Sequence, residues 1–166
     1  MVKKWWMIML LAAFLTGCAN VQELETMNDD FVMPEAVPGR VLLDLPGDAG
    51  EEALCGSADR QLYICENYTI GVQVLPGGDM KRTLQTVTGF EPSALTVVQT
   101  QKKGLDSFQT VWTAAGQGGD QLGRAEILSD GNFHYVLSVM ADSTAAGTLA
   151  EPWQCLFESF GVSYIG

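Results

Sequence analysis

The sequence predicts an α+β domain: a single antiparallel sheet of about six strands with helices packed on it, after an N-terminal signal helix. Three observations support this fold class. Short segments with alternating apolar residues recur along the chain and are separated by turn sequences. Two other segments carry apolar residues at helical spacing. Strands followed by a helix, four more strands and a closing helix are typical of layered α+β domains.

The first half of the domain predicts a strand, a hairpin and a helix. Val41–Leu45 is a short strand candidate, ended by a Pro-Gly pair. Gln61–Cys65 and Tyr68–Leu75 form a hairpin, and residues 68, 70, 72 and 74 share an apolar face of its second strand. Asp79 is placed to cap a helix over residues 80–88, and Gly89 is placed to end it.

The second half predicts four strands and a closing helix. The Gly-rich segment 116–120 is interpreted as a wide hairpin loop, because a strand rather than the helix of a phosphate-binding loop follows it. Asp142 or Ser143 can cap a helix that reaches about Phe160 and carries a heavy apolar stripe, which must pack on the sheet. The strands are Leu95–Thr100, Leu105–Ala114, Leu122–Leu128 and Asn132–Met140.

The first eighteen residues have the pattern of a secretory signal peptide. Two lysines precede an apolar run, Trp5–Leu15, that is well short of the roughly 20 residues needed to span a bilayer. Leu15-Thr16-Gly17-Cys18 closes the run and resembles the lipobox of bacterial lipoproteins. The resemblance implies that the Cys18 thiol receives a diacylglyceryl group. An ordinary secretory signal with a cysteine beside its cleavage site is the alternative.

This interpretation divides the chain into three parts and gives it a location. We expect a lipoprotein signal peptide at 1–17, a lipid-anchored flexible acidic tether at 18–39 and the α+β globular domain at 40–166. The location is extracytoplasmic, with the lipid in the outer face of the cytoplasmic membrane, or in the outer membrane if the organism has one.

The charge of the mature chain limits its partners. From Cys18 onward, seven Lys and Arg residues face twenty Asp and Glu residues, for a net charge of −13. Nucleic acid is excluded as a partner, because its binding relies on basic side chains that neutralise phosphates. The partners expected are the membrane, through the lipid on Cys18, and another protein. No metal and no cofactor are predicted, because one histidine and scattered cysteines do not supply a zinc ligand set.

The domain also resembles a known family. The helix after the first hairpin, the meander of strands, the segment 134–141 (His-Tyr-Val-Leu-Ser-Val-Met-Ala) and the helix ending in 156–160 (Leu-Phe-Glu-Ser-Phe) are similar to the Mog1/PsbP-like α/β/α sandwich. The similarity spans about residues 60–162 and implies a binding or assembly module without enzymatic activity.

The cysteines after Cys18 leave one disulfide question open. Cys55 and Cys65 enclose a short loop that a disulfide can close in an extracytoplasmic compartment. Cys155 is then expected as a small buried side chain, although its pairing with Cys55 or Cys65 is also compatible with the sequence.

Three residues are candidates for a ligand or active site. His134, the one histidine, is a general-base candidate in the alternative that the chain is a small cell-envelope hydrolase, but it lacks an identifiable partner and is better explained as a surface or helix-facing residue. Trp112 and Trp153 are candidates for ligand stacking in a second alternative, a solute-capturing lipoprotein, although core packing explains Trp112 more simply. No residue is assigned a catalytic role.

Overall fold

The computed structural model describes residues 36–51, 60–116 and 119–164. The chain divides between Ala36 and Val37, and the account below concerns the second unit. The predicted signal peptide, Cys18, most of the tether and Cys55 lie outside the described residues. The elements are β1 (Arg40–Leu42), β2 (Gly50–Glu51), β3 (Arg60–Ile64), β4 (Tyr68–Pro76), α1 (Met80–Thr88), β5 (Val97–Lys102), β6 (Leu105–Gly116), β7 (Gly119–Ser129), β8 (Phe133–Asp142), α2 (Ala150–Ser159) and β9 (Gly161–Ser163), with short 3₁₀ turns at Pro92–Ala94 and Ser143–Ala145.

One antiparallel sheet dominates the fold. Its strand order is β2-β3-β4-β8-β7-β6-β5, and every neighbouring pair is antiparallel. Since β2 has two residues, six longer strands carry the sheet, which confirms the predicted α+β fold class. Strand β8 lies at the centre, whereas β5 forms one edge.

The sequence did not predict the small ribbon that closes the domain. Strand β1 pairs with β9 in a separate two-stranded sheet, with Val41 opposite Val162. The predicted strand at 41–45 is therefore shorter and one residue earlier than expected. Its partner comes from the opposite end of the domain, so no local pattern indicates the pairing.

Helix α1 forms as predicted. The Asp79 carboxylate accepts a hydrogen bond from the Lys81 N–H at 3.0 Å, and Gly89 ends the helix in the left-handed conformation with φ 77°. The apolar stripe of the helix packs on one face of the sheet. Leu84 is buried there with Ile127 and Val136.

Helix α2 covers the other face of the sheet, as predicted, but it begins at Ala150. Asp142 caps only the 3₁₀ turn that precedes it, by accepting the Thr144 N–H at 2.9 Å. Pro152 lies in the first turn of α2, where its missing N–H breaks no intrahelical bond. The core beneath the helix contains Trp153, Leu156, Phe157 and Phe160 against Tyr68, Ile70, Val72, Leu128, Tyr135, Leu137 and Val139.

Successive residues of each strand point to opposite faces of the sheet, so α1 and α2 contact different sets of side chains. On β8 the odd-numbered residues face α2 and the even-numbered ones, including His134, face α1. The hairpin of β6 and β7 is tight, because pairing continues to Gly116 opposite Gly119. The prediction of a wide loop at 116–120 is therefore wrong, although the segment does join two strands, as expected.

Candidate binding surface

His134 lies beneath α1 and is 3% exposed. Its Nδ1 is 2.7 Å from the Thr83 hydroxyl oxygen, which supplies the one hydrogen bond of the ring among the described residues. Burial lowers the pKa of His134, and the charge of Asp130 partly opposes this shift. Thr83 is also buried, at 6% exposure, so both side chains belong to the interface between α1 and the sheet.

The two tryptophan candidates are buried on opposite faces of the sheet. Trp112 packs over Gly123 on the neighbouring strand, where a Cβ atom would lie 2.3 Å from the indole Cε2. Trp153 packs edge-on against Tyr68 with 6.4 Å between ring centroids, and its indole N–H has no hydrogen-bond partner within the described ranges. Neither indole lines the clefts described below, so both act in packing.

The two described cysteines differ in exposure. Cys65 is buried beside Tyr68, and burial raises the pKa of its thiol, with the Asp48 charge acting in the same direction. Cys155 is exposed on α2, so the expectation that it is buried is wrong. Trp153, Leu156 and Phe157 turn to the core and leave position 155 facing outward. Cys55 lies outside the described residues, so the Cys55–Cys65 disulfide stays a prediction.

One corner of the sheet is organised by Asp130, in the turn between β7 and β8. Its carboxylate accepts hydrogen bonds from the Asn132 and Phe133 N–H groups and from the hydroxyls of Tyr135 and Tyr164, both at 2.9 Å. Partial burial alone would raise the pKa of Asp130, but these bonds hold it below its ordinary value. The network joins the β7–β8 turn to the C-terminal segment.

A second network lies where α2 ends over β7. Glu126, 1% exposed, pairs with Lys102 at 3.0 Å and accepts a hydrogen bond from the Ser107 hydroxyl at 2.8 Å. Lys102 also donates to the Phe157 carbonyl oxygen of α2 and lies 5.6 Å from the centroid of the Phe160 ring. The pair therefore ties β5, β7 and the end of α2 together.

A groove opens beside this network, between edge strand β5 and α2. Two adjacent clefts of about 330 and 340 Å³ share Gln109 and Arg124, and together they are called here the Arg124 groove. Val98 and Val111 line one end, and each is 55% exposed. Phe157 lines the other end, and the guanidinium of Arg124 stacks 4.2 Å from the centroid of its ring. Arrangements that combine exposed apolar, aromatic and arginine groups are typical of binding surfaces.

No residue of this groove was among the site residues predicted from the sequence. A signal was present on β7, where Leu122, Arg124, Glu126 and Leu128 alternate with small or apolar residues. Two charged residues in the register of a core-facing strand predict a buried pair or a site. No comparable pattern in the sequence indicates that β5 lies at the edge of the sheet, on the same side as Arg124 and Glu126. Within the described residues, no three His, Cys, Asp or Glu side chains converge on a possible metal position.

No protein-family model matches the chain, and no curated protein matches it. Solved structures do. The solution structure of the cyanobacterial PsbP protein CyanoP from Synechocystis sp. PCC 6803 is 10% identical with a TM-score of 0.55, covering 78% of this chain and 96% of that one. The Ran-binding protein Mog1p from Saccharomyces cerevisiae is 10% identical with a TM-score of 0.52, covering 74% and 89%.

A third similar structure is LpqN from Mycobacterium tuberculosis, described as involved in cell envelope biogenesis. It is 16% identical with a TM-score of 0.50, and the match covers 78% of this chain and 88% of LpqN. These likenesses support a Mog1/PsbP-like fold, as the sequence predicted, and at such identities they concern the fold alone. Neither helix in the described part of the chain has the length and apolar character that a bilayer span requires.

Proposed function

We propose that this protein is a lipid-anchored extracytoplasmic lipoprotein whose α+β domain acts as a non-enzymatic binding or assembly module for another protein. The observation that carries the anchoring is the lipobox-like Leu15-Thr16-Gly17-Cys18 after a short apolar run. A diacylglyceryl group supplies two chains, enough for stable anchoring where a single chain is marginal. The fold shared with LpqN, a protein of cell envelope biogenesis, supports a role in the same compartment.

The binding role is supported by the geometry of the domain. His134 is closed off beneath α1 with Thr83, whereas the accessible features are an open groove with exposed valines and a stacked arginine. Apolar, aromatic and arginine side chains that meet at one place are a common composition of interaction sites. The net charge of −13 keeps the tethered domain in solution and away from anionic headgroups.

Replacement of the lipobox cysteine tests the anchor. The wild-type chain should incorporate labelled palmitate and fractionate with membranes, and Cys18→Ser should do neither. Cys155→Ser is the matched control, because that thiol is exposed on α2 and its loss should leave labelling unchanged. Palmitate incorporation and membrane association of Cys18→Ser at wild-type levels would contradict the proposal.

Photo-crosslinking in intact cells tests the binding role. A photoreactive residue placed in turn at several exposed positions of the anchored chain should give a protein adduct of constant size from at least one of them. If no position yields an adduct above that of the unsubstituted chain, the module does not act through a protein partner.

A second candidate, capture of a small amphipathic ligand, is favoured by a different cleft. A space of about 400 Å³ lies between the segment 40–45 and strands β3 and β4, within the usual range of about 300–1,000 Å³ for ligand pockets. Its lining combines apolar Val41, Leu43 and Val74 with polar Arg40 and Gln73. Titration with decanoate, followed by NMR, should shift signals of these residues, and Val74→Trp should abolish the effect by filling the cleft. Shifts confined to other parts of the domain would eliminate this candidate.

A further inference from the structure

Part of one sheet face is left uncovered by α2. The helix packs over β4, β8 and β7, whereas on the same face β5 and β6 present Val98 and Val111 to solvent. The Arg124 groove runs between this bare area and α2. The groove lies between the edge strand β5 and helix α2. An extended polypeptide fits such a groove, because the edge strand offers backbone groups with which a further strand can pair.

The groove contains a cation, Arg124, that is not used in an ion pair with any described residue, although the chain is strongly acidic. Across residues 36–51, 60–116 and 119–164, no carboxylate lies within ion-pair distance of Arg124. Of the two carboxylates that line the groove, Glu126 is buried against Lys102, whereas Glu158 is exposed and accepts a hydrogen bond from the Gln154 amide at 2.8 Å. Stacking on Phe157 occupies one face of the guanidinium and leaves its N–H edge available.

We infer that the Arg124 groove binds an extended acidic segment of the protein partner. A partner carboxylate accepts paired hydrogen bonds from the Arg124 guanidinium, and flanking apolar side chains cover Val98 and Val111. The stacking of Arg124 on Phe157 holds the guanidinium in place before binding, which lowers the entropic cost of the contact. This inference rests on the proposed binding function and names the chemistry of the partner.

An anionic lipid surface offers the same charge but fits the groove less well. Recruitment to such surfaces uses clusters of several basic residues, whereas this groove offers one available arginine in a mature chain of net charge −13. Val98 and Val111 lie at the apolar end of the groove. In a peptide, apolar side chains next to the acidic residue can cover these two valines, which lipid headgroups cannot do. The proposed occupant is therefore the acidic peptide segment, and the experiment below also tests binding to an anionic lipid surface.

The test uses the mature lipidated protein in neutral detergent and two fluorescein-labelled peptides, Thr-Val-Glu-Val-Thr and its Gln analogue. Fluorescence anisotropy should show the Glu peptide binding about tenfold more tightly, the effect of one charge-assisted contact. Arg124→Gln should abolish this preference, and Arg124→Lys, which keeps the charge, should retain part of it. Arg60→Gln is the matched control, because Arg60 lies on β3 outside the groove.

The apolar half of the site has its own pair of variants. Val111→Asp should weaken the Glu peptide about tenfold, because it places a like charge beside the bound carboxylate. Ile64→Asp is the control, since Ile64 is 47% exposed on β3, which lies across the sheet from β5 and β6. Circular dichroism of all variants verifies that they are folded.

Three results would overturn the inference: equal binding of the Glu and Gln peptides, equal losses in Arg60→Gln and Arg124→Gln, or Arg124-dependent binding of phosphatidylglycerol vesicles without peptide preference. Its failure is distinguishable from failure of the proposed function. If Cys18→Ser releases the protein and adducts form only at positions away from the groove, the module stands and the groove assignment falls.

Discussion

Lys102 and Glu126 form an ion pair with 3.0 Å between Nζ and Oε2, and the glutamate side chain is 1% exposed. The two residues lie on β5 and β7, with β6 between them. A buried carboxylate is costly unless it is paired and hydrogen-bonded, and Ser107 and Gln109 complete its coordination at 2.8 and 3.3 Å. This pair therefore orders the strands that form the Arg124 groove.

Loss of the lysine should be more harmful than loss of the whole pair. Lys102→Met leaves Glu126 buried without its counter-charge, and urea unfolding should show a loss of about 3–5 kcal/mol. Lys102→Met combined with Glu126→Leu should recover much of that loss. Lys103→Met, at the exposed neighbouring position, is the control and should change stability little. A loss in Lys102→Met no larger than in the control would show that the pair is not structural.

Contact between Trp112 and Gly123 predicts a steric effect. A Cβ at position 123 would lie 2.3 Å from the indole, so Gly123→Ala should lower the free energy of unfolding by about 1–3 kcal/mol through overpacking. Combining it with Trp112→Val should cost less than the sum of the two changes, because the clash is removed. Gly47→Ala, where nothing lies within 4 Å, is the comparison. Strict additivity in thermal or urea unfolding would contradict the contact.

Burial of His134 predicts a pH dependence of stability. Because burial lowers the pKa of the folded histidine below 6.5, the unfolded chain takes up a proton first as pH falls. The stabilising contribution is therefore fully present above 6.5 and decreases as pH falls from 6.5 to the folded pKa. Unfolding free energies at about pH 7.5 and about pH 5.5 should differ more in the wild type than in His134→Gln. The lowered pKa of Asp130 acts in a separate window, below 3.8. Equal differences in the two proteins would refute this assignment.

The Asp130 corner predicts a local change in hydrogen exchange. Gly39 donates its N–H to the Tyr135 hydroxyl at 2.8 Å, and that hydroxyl donates to Asp130. Tyr135→Phe should make the Gly39 amide exchange faster and lower stability by about 1–2 kcal/mol. Tyr164→Phe removes one bond to the same carboxylate and none to Gly39, so it should leave that amide protected. Similar exchange of Gly39 in both variants would mean that Tyr135 does not hold this segment.

Much of the local structure was predictable because its signals are local. Asp79 and Gly89 mark the two ends of α1 through hydrogen bonds and backbone conformations that lie within a few residues. Alternation along β4 correctly placed Tyr68, Ile70 and Val72 on the face that α2 covers. The fold class follows from the order of such elements, and the similar structures support it.

The binding surface was not predictable, because its residues meet through strand order. Val98 and Val111 look like core residues in the sequence, and their exposure depends on β5 lying at the edge and on α2 stopping short of it. Cys155 was misjudged for a similar reason, since the orientation of the helix decides which side of it is buried.

The sequence alone therefore determined the main strands of the sheet, the two ends of α1 and the lipobox-like segment, because each depends on neighbouring residues. Only the tertiary structure decided that β1 pairs with β9, that Lys102 neutralises Glu126 and that Arg124 stays accessible. These relationships join residues that are distant along the chain, and the packing free energy of the whole sheet selects them.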